Sequence, residues 1–362
     1  MDLFPLLRPL LAALPPETAH ALTLPLIARL PPHRAVPGRA DPILAQRIWG
    51  LDFANPLGTA AGLDKHAQAC DGVFGLGLGF AEAGGVTPEP QPGNPKPRVF
   101  RLAADAALIN RIGFASVGRE VFARRLARRG RHGPLGVNLG KNKTSESAAR
   151  DYALCARAVA ADADFLVINI SSPNTAGLRE SMQSADAVAE AVAAVRNAVA
   201  ESELGGRRVP ILVKVSPDLT AADEAAIVEA VQATRPDGLV VGNTTRRRPP
   251  ELRSPHATEE GGLSGAPLFA QSTTLLARLR LQLGPDLPLI GCGGVASGAD
   301  AYAKIRAGAC LVQLYTALTY RGPALVPAIL LDLAARLRAD GHARICDAIG
   351  RDAAAIARGE TL

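Results

Sequence analysis

The chain has 362 residues, 48% of them apolar, and carries a net charge of +6 with a pI of 9.3. Its arginines are scattered, which points to weak attraction for acidic lipid or a small anionic substrate, and 4% aromatic residues disfavours a base-stacking nucleic-acid surface. Five isolated cysteines (Cys70, Cys155, Cys292, Cys310 and Cys346) give neither a disulfide framework nor a zinc site, so no metal is expected.

The first forty residues differ from the rest. LFPLLRPLLAALPPETAHALTLPLIARLPP predicts two short apolar helices broken at Pro15-Pro16, with Pro16 and Glu17 as helix-start chemistry. Their leucines are too numerous to bury on one narrow face. Pro31, Pro32, Pro37 and Gly38 read as a linker, so residues 1–40 are expected to form a helical segment ahead of a second unit over 41–362. Asp2 stands early and no charged, apolar, small-residue order follows, so no signal peptide is expected. No apolar run approaches the roughly 20 residues that span a bilayer.

Beyond the linker, apolar segments recur with helical, alanine-rich stretches between them. Strands are predicted at FANPLGTAAG (53–62), FAEAGGV (80–86), LGVNLG (135–140), FLVINIS (165–171), ILVKVS (211–216), GLVVGNT (238–244), LPLIGCGG (287–294) and CLVQLYT (310–316). Short continuous apolar runs alternating with helices mean parallel strands covered on their outer face. Eight such units suit a (β/α)8 TIM barrel; a doubly wound sheet is the alternative, weakened because no GxGxxG loop follows a first strand.

A barrel puts functional groups at the C-terminal ends of its strands. Those ends carry Asp64 and Lys65, Asn138, then Asn169, Ser172 and Asn174, then Lys214, Asn243 and Thr244. Strands 7 and 8 end in Gly293, Gly294, Tyr315 and Thr316, where glycine backbone lets N–H groups approach a phosphate; a tight turn is the plainer reading. Lys214 has apolar neighbours, which suits a Schiff-base nucleophile or a charge beside an anion. Asn110, Asn138, Asn169, Asn174 and Asn243 each donate and accept, so together they suit a planar ligand with imide and carboxylate groups. No Ser-His-Asp triad and no carboxylate or histidine cluster for a metal is apparent.

These motifs, in order, resemble the dihydroorotate dehydrogenase family: AAGLDK (60–65), GGVTPEPQPGNPKPR (84–98), INRIGF (109–114), GVNLGKNK (136–143), NISSPNT (169–175), VKVSPDL (213–219), GNTT (242–245) and GGLSGAPL (261–268). PPETAH within the apolar hairpin resembles the quinone-dependent class 2, as does Ser172 where the soluble class uses cysteine as base. The resemblance implies an FMN-containing barrel that oxidises (S)-dihydroorotate to orotate in pyrimidine synthesis. Ser172 would take the C5 proton while hydride passes from C6 to flavin N5. Thr175 and a water beside Phe114 would relay the proton, and Lys214 would stabilise negative charge on reduced flavin. The flavin would be held by Ala61, Gly62, Leu63, Asp64, Lys65, Gly85, Asn138, Asn169, Gly242, Gly265, Gly294, Tyr315 and Thr316. Lys65, Asn110, Arg111, Ile112, Gly113, Phe114, Asn169, Asn174, Asn243 and Thr244 would hold substrate.

By the same resemblance the hairpin is a monotopic anchor that opens a tunnel for ubiquinone or menaquinone, with His20 and Arg101 at its entrance. A monomer peripheral to the cytoplasmic face of a bacterial inner membrane, with no nucleic-acid partner, is the expected setting. Two positions depart from the family pattern. Gly85 stands where a hydroxyl residue is common, and Gly242 where some relatives have threonine, so weaker or water-mediated flavin contacts are expected there. Other readings are an FMN-dependent tRNA dihydrouridine synthase, a Schiff-base aldolase using Lys214, and a membrane-binding module. The first requires a catalytic cysteine and an RNA-binding helical domain, and the last leaves the strand-end polar set unexplained.

Overall fold

The computed structural model of the chain describes residues 4–175, 177–182, 184–202 and 204–360. Eight parallel strands close a barrel: β1 (Leu57–Thr59), β2 (Phe80–Val86), β3 (Leu135–Leu139), β4 (Phe165–Asn169), β5 (Ile211–Val215), β6 (Gly238–Val241), β7 (Leu289–Cys292) and β8 (Leu311–Leu314). Each pairs with its sequence neighbour, and β8 pairs with β1 to complete the ring. The (β/α)8 expectation is met. Every residue of β3, β4 and β5 is buried, as strands covered on both faces should be.

The first predicted strand is split. Asn55-Pro56 interrupts it, and Leu51–Phe53 instead pairs antiparallel with Gln46–Ile48 in a separate hairpin. Proline cannot donate to a ladder, and Asn55 folds its side chain onto the carbonyls of Arg39 and Gly77. At this end Phe53, Phe80 and Phe165 pack with Trp49, with ring centroids 5.8–6.5 Å apart from Trp49 through Phe165 and Phe80 to Phe53. Glycines make the room: a Cβ at Gly58 would lie 2.5 Å from the Phe80 ring, and one at Gly136 would lie 2.1 Å from Phe165. Aromatic bulk thus closes the N-terminal end and leaves the C-terminal end for polar groups.

Over that C-terminal end lies a second, antiparallel sheet of Val99–Leu102, Ala107–Asn110 and Gly262–Gly265. It comes from the loops after β2 and β6, and it carries motifs singled out in the sequence, INRIGF and GGLSGAPL. The N-terminal segment forms α1 (Phe4–Ala13) and α2 (Pro16–Ala28), broken at the predicted prolines. No residue of α1 is buried, and Leu6, Leu10, Leu22 and Leu26 are each more than half exposed. No helix among the described residues is long and apolar enough to cross a membrane.

Candidate active site

One buried carboxylate, Glu82 in β2, organises the barrel mouth. It accepts from Asn138 Nδ2 at 2.6 Å, Gln313 Nε2 at 2.5 Å and Lys214 Nζ at 3.4 Å, so β3, β8 and β5 converge on it. Both ions of the Lys214–Glu82 pair are almost fully buried. Removing one partner of such a pair leaves an uncompensated charge, at about 3–5 kcal/mol. The pairing also weighs against the aldolase reading, because an ion-paired ammonium has no lone pair with which to attack a carbonyl. The sequence reading gave Glu82 no role. Its signal was a lone acidic residue inside an apolar strand.

From Glu82 a ladder of carboxamides crosses the mouth. Asn169 Nδ2 donates to Asn138 Oδ1 at 3.0 Å, and Asn243 Nδ2 donates to Ser171 Oγ at 3.0 Å and lies 3.4 Å from Asn169 Oδ1. The parallel register that sets Asn169 opposite Lys214 makes the chain of contacts possible. Carboxamides suit this role because each both donates and accepts. The two adjacent serines separate cleanly here. Ser171 is fully buried and its hydroxyl donates to Asn169 Oδ1 at 3.0 Å, so it is committed to the scaffold. Ser172 lines the cavity, and among the described residues its Oγ accepts only a long contact from Asn174 N, at 3.4 Å. The Thr175 hydroxyl is buried with no hydrogen-bond partner among the described residues.

Across the cavity, Asn174 Nδ2 donates to Asn110 Oδ1 at 3.1 Å. Asn94, missed in the sequence, holds both loops by donating to the carbonyls of Asn174 and Arg111. Ile112, Gly113 and Phe114 line the cavity beside them, with Thr244 opposite. The Thr244 hydroxyl, like that of Thr175, is buried without a partner among the described residues. Two candidate side chains turn elsewhere. Arg111 pairs with Glu259 at 2.8 Å and lies over the Phe100 ring, leaving only its backbone near the site. The Asp64 carboxylate accepts from the backbone of Gln68 and Ala69, at 2.8 and 2.7 Å, which shapes the loop after β1.

The two departures from the family pattern differ in kind. A Cβ at Gly85 would fall 2.7 Å from the Phe114 ring, so that ring occupies the space a larger residue needs. Phe114 has φ +50, reached directly after Gly113 at φ +70, and this turn sets its ring over β2 and β3. At Gly242 a Cβ would meet nothing closer than Pro217 at 3.4 Å.

Ala61, Gly62, Leu63 and Lys65 line the floor of the same cavity, and Gly265, Gly294, Tyr315 and Thr316 its far wall. Lys65 Nζ donates to Gly62 O at 2.7 Å. Burial pulls its ammonium down to about 8, with Glu17 opposing that shift and Arg98 reinforcing it. The set fits a flavin ring by two observations. Gln313 Oε1 is a buried acceptor with no partner among the described residues, set in the cavity wall beside the donors of Lys214 and the carboxamides, as an imide edge requires. A Cβ at Gly62 would project only toward the Tyr315 ring, 3.6 Å away, so the glycine leaves a flat space.

The cavity, about 2020 Å³, runs on beneath the hairpin, where Leu7, Leu11, Leu22 and Leu26 join its wall. That exceeds the space one small ligand needs. His20 Nε2 donates to Leu63 O at 2.8 Å, and burial together with Lys65 keeps its pKa below the usual imidazole value. Arg101 donates to the carbonyls of Leu11 and Leu14, at 3.1 and 2.6 Å, which caps the end of α1. Arg98, a further residue the sequence did not reveal, pairs with Glu17 of α2 at 2.9 Å and donates to Pro92 O and Asn94 O.

Residues 43–337 match the family model described as dihydroorotate dehydrogenase. The chain is 52% identical to a dihydroorotate dehydrogenase (quinone) of Xanthobacter autotrophicus, over 97% of this chain and 99% of that one. It is 47% identical to a mitochondrial dihydroorotate dehydrogenase (quinone) of Arabidopsis thaliana, over 95% and 80%. Among solved structures, ligand-free DHODH from Eimeria tenella superposes with a TM-score of 0.88 at 41% identity, covering 93% of this chain and 99% of that one.

Proposed function

This chain belongs to the dihydroorotate dehydrogenase family, and we propose that its barrel mouth is where (S)-dihydroorotate is oxidised to orotate, with FMN between substrate and a membrane quinone. The enzyme is an oxidoreductase of pyrimidine biosynthesis with a quinone as final acceptor. The observation that carries the site assignment is the Glu82-centred network facing Ser172 across one cavity that continues under the apolar hairpin.

In this reading Ser172 is the base for the C5 proton. A neutral hydroxyl is a weak base, so the proton needs an onward acceptor. The unpartnered Thr175 hydroxyl and the Phe114 ring, which walls that side, support a relay there. Asn110, Asn174, Asn243 and Thr244 orient substrate, and Lys65 faces its carboxylate. FMN held here would supply two-electron acceptor chemistry between substrate and quinone. Lys214 and the carboxamides of Asn138 and Asn169 meet its polar edge, while Gly265, Gly294, Tyr315 and Thr316 take its phosphate end. Lys214 is suited to balance charge that builds up there, being already desolvated and fixed.

Residues 1–40 form the quinone-access unit on the 41–362 barrel, with His20 and Arg101 at the tunnel. Exposed leucines on both helices support a peripheral seat on the lipid surface. The finer setting proposed is a monomer on the cytoplasmic face of a bacterial inner membrane, using ubiquinone or menaquinone. The test is a spectrum. Purified protein shows flavin absorbance that bleaches when dihydroorotate is added without oxygen and returns on adding a ubiquinone analogue. A colourless protein that FMN cannot reconstitute refutes the reading.

A further inference from the structure

Lys304 lies outside the groups described so far. It sits in the helix Gly298–Ala307 and is fully buried. Its Nζ donates to Ser272 Oγ at 2.6 Å and stands 5.2 Å from the Phe269 ring centroid. Among the described residues no carboxylate forms an ion pair with it. Lysine is rarely fully buried unless paired. The titratable groups facing it are Cys292 at the end of β7 and Asp300 on its own helix. Asp300 is engaged with the Ala296 backbone N–H. Burial pulls the Lys304 ammonium down to about 7 against the pull of those two groups.

What Lys304 touches points toward the cavity. Ser272 Oγ accepts from Lys304 and lies 3.2 Å from Gly293 O and 3.1 Å from Phe269 O, so its single O–H proton is shared between those two carbonyls. The Gly293–Gly294 peptide is trans, so its C=O and N–H point in opposite directions. With Gly293 O turned back onto Ser272, the Gly294 N–H faces the other way, on the side of the cavity that both glycines line. The same loop presses on the start of the helix Phe269–Leu283: a Cβ at Gly294 would lie 2.5 Å from Phe269 Cα. At the cavity rim, the exposed Arg321 donates to Ala296 O.

We propose that Lys304 is a positioning residue and buried counter-charge for the phosphate of the flavin, acting through Ser272 on the Gly293–Gly294 peptide. The inference rests on the flavin reading above. A dianion arriving in front of that peptide stabilises the ammonium behind it. Above pH about 7 its binding therefore draws a proton onto Lys304. Affinity for the phosphorylated ligand falls as pH rises through that range.

The experiment compares FMN with riboflavin, which has the same ring and no phosphate. Holoenzyme is stripped and rebuilt with each, and affinity is read by fluorescence quenching. Lys304→Met is expected to lose about tenfold or more in FMN affinity, the weight of a charge-assisted contact, with riboflavin affinity unchanged. Equal loss for both ligands means a merely structural lysine and overturns the inference, as does an unchanged FMN preference. Wild-type protein is also titrated at pH 8 in two buffers of different ionisation enthalpy. FMN should take up more protons than riboflavin does, which subtracts any uptake at Lys65. If Lys304→Met does not fold, Ser272→Ala and this proton count decide, and no excess uptake overturns the inference. Wild-type protein that binds neither flavin removes the flavin reading itself, an outcome separate from losing Lys304's part in it.

Discussion

The barrel mouth and the N-terminal hairpin solve opposite problems. At the mouth, polar groups with no access to bulk water are held by one another: Glu82 by three donors, Asn169 by Asn138 and Ser171. In the hairpin, apolar groups stand in solvent: α1 buries none of its side chains, and its attachment includes the Arg101 bonds to its last carbonyls. At the mouth, among the described residues, the hydroxyls of Thr175 and Thr244 are buried without a partner and that of Ser172 has one long contact. The hairpin leaves Leu6, Leu10, Leu22 and Leu26 uncovered. A side chain at the mouth acts through where its neighbours fix it, whereas one on the hairpin acts through what it leaves uncovered.

That contrast breaks most sharply at Ser172. Ser172→Ala should retain FMN yet slow anaerobic flavin reduction by about 10²–10⁴-fold at neutral pH, the range a general base supplies. Near wild-type reduction in stopped flow would remove Ser172 from the mechanism. Next is Glu82→Ala, which strands the buried Lys214 ammonium. Urea melts should show a loss of about 3–5 kcal/mol, and a loss below about 1 kcal/mol would mean the pair is not the mouth's keystone.

On the hairpin the effects are expected elsewhere. Replacing Leu6, Leu10, Leu22 and Leu26 together by Gln should lower liposome binding by tenfold or more, since each buries about 1.5–3 kcal/mol of apolar surface in a lipid interface. Flavin reduction by substrate should not change in that variant. The smallest expected effect joins the two regions at Lys65. Its ammonium loses the proton as pH rises through about 8, so the charge proposed to meet the substrate carboxylate is present below that pH and fades above it. KM for dihydroorotate should therefore rise several-fold between pH 7 and 9. A KM flat across that interval would separate Lys65 from substrate binding.

The barrel was legible because strands buried on both faces read as continuous apolar runs, and all eight were found. The first was the most overdrawn, since the break at Asn55-Pro56 depends on carbonyls supplied by distant turns, and the reading of β3 to β8 also ran past the C-terminal end of each strand. Asparagines at strand ends stood out for the same reason, as polar residues following apolar runs. What stayed hidden was partnership. Glu82 meets Asn138 from 56 positions away and Gln313 from 231, and nothing local in the sequence announces either contact. Asn94, Arg98 and Lys304 were likewise invisible, because each acts by bridging loops or layers that are separate in the chain. Asp64 and Arg111 show the converse, polar residues in the right motif whose side chains serve the scaffold.

The central claim is that the mouth and hairpin divide the reaction between them. The direct measurement follows both half-reactions in stopped flow on the full chain and on the chain with its four exposed hairpin leucines replaced, presented on lipid vesicles that carry quinone. The account predicts equal rates of flavin reduction by dihydroorotate and markedly slower reoxidation by vesicle quinone in the variant. Equal reoxidation rates, or reduction slowed together with reoxidation, would contradict it.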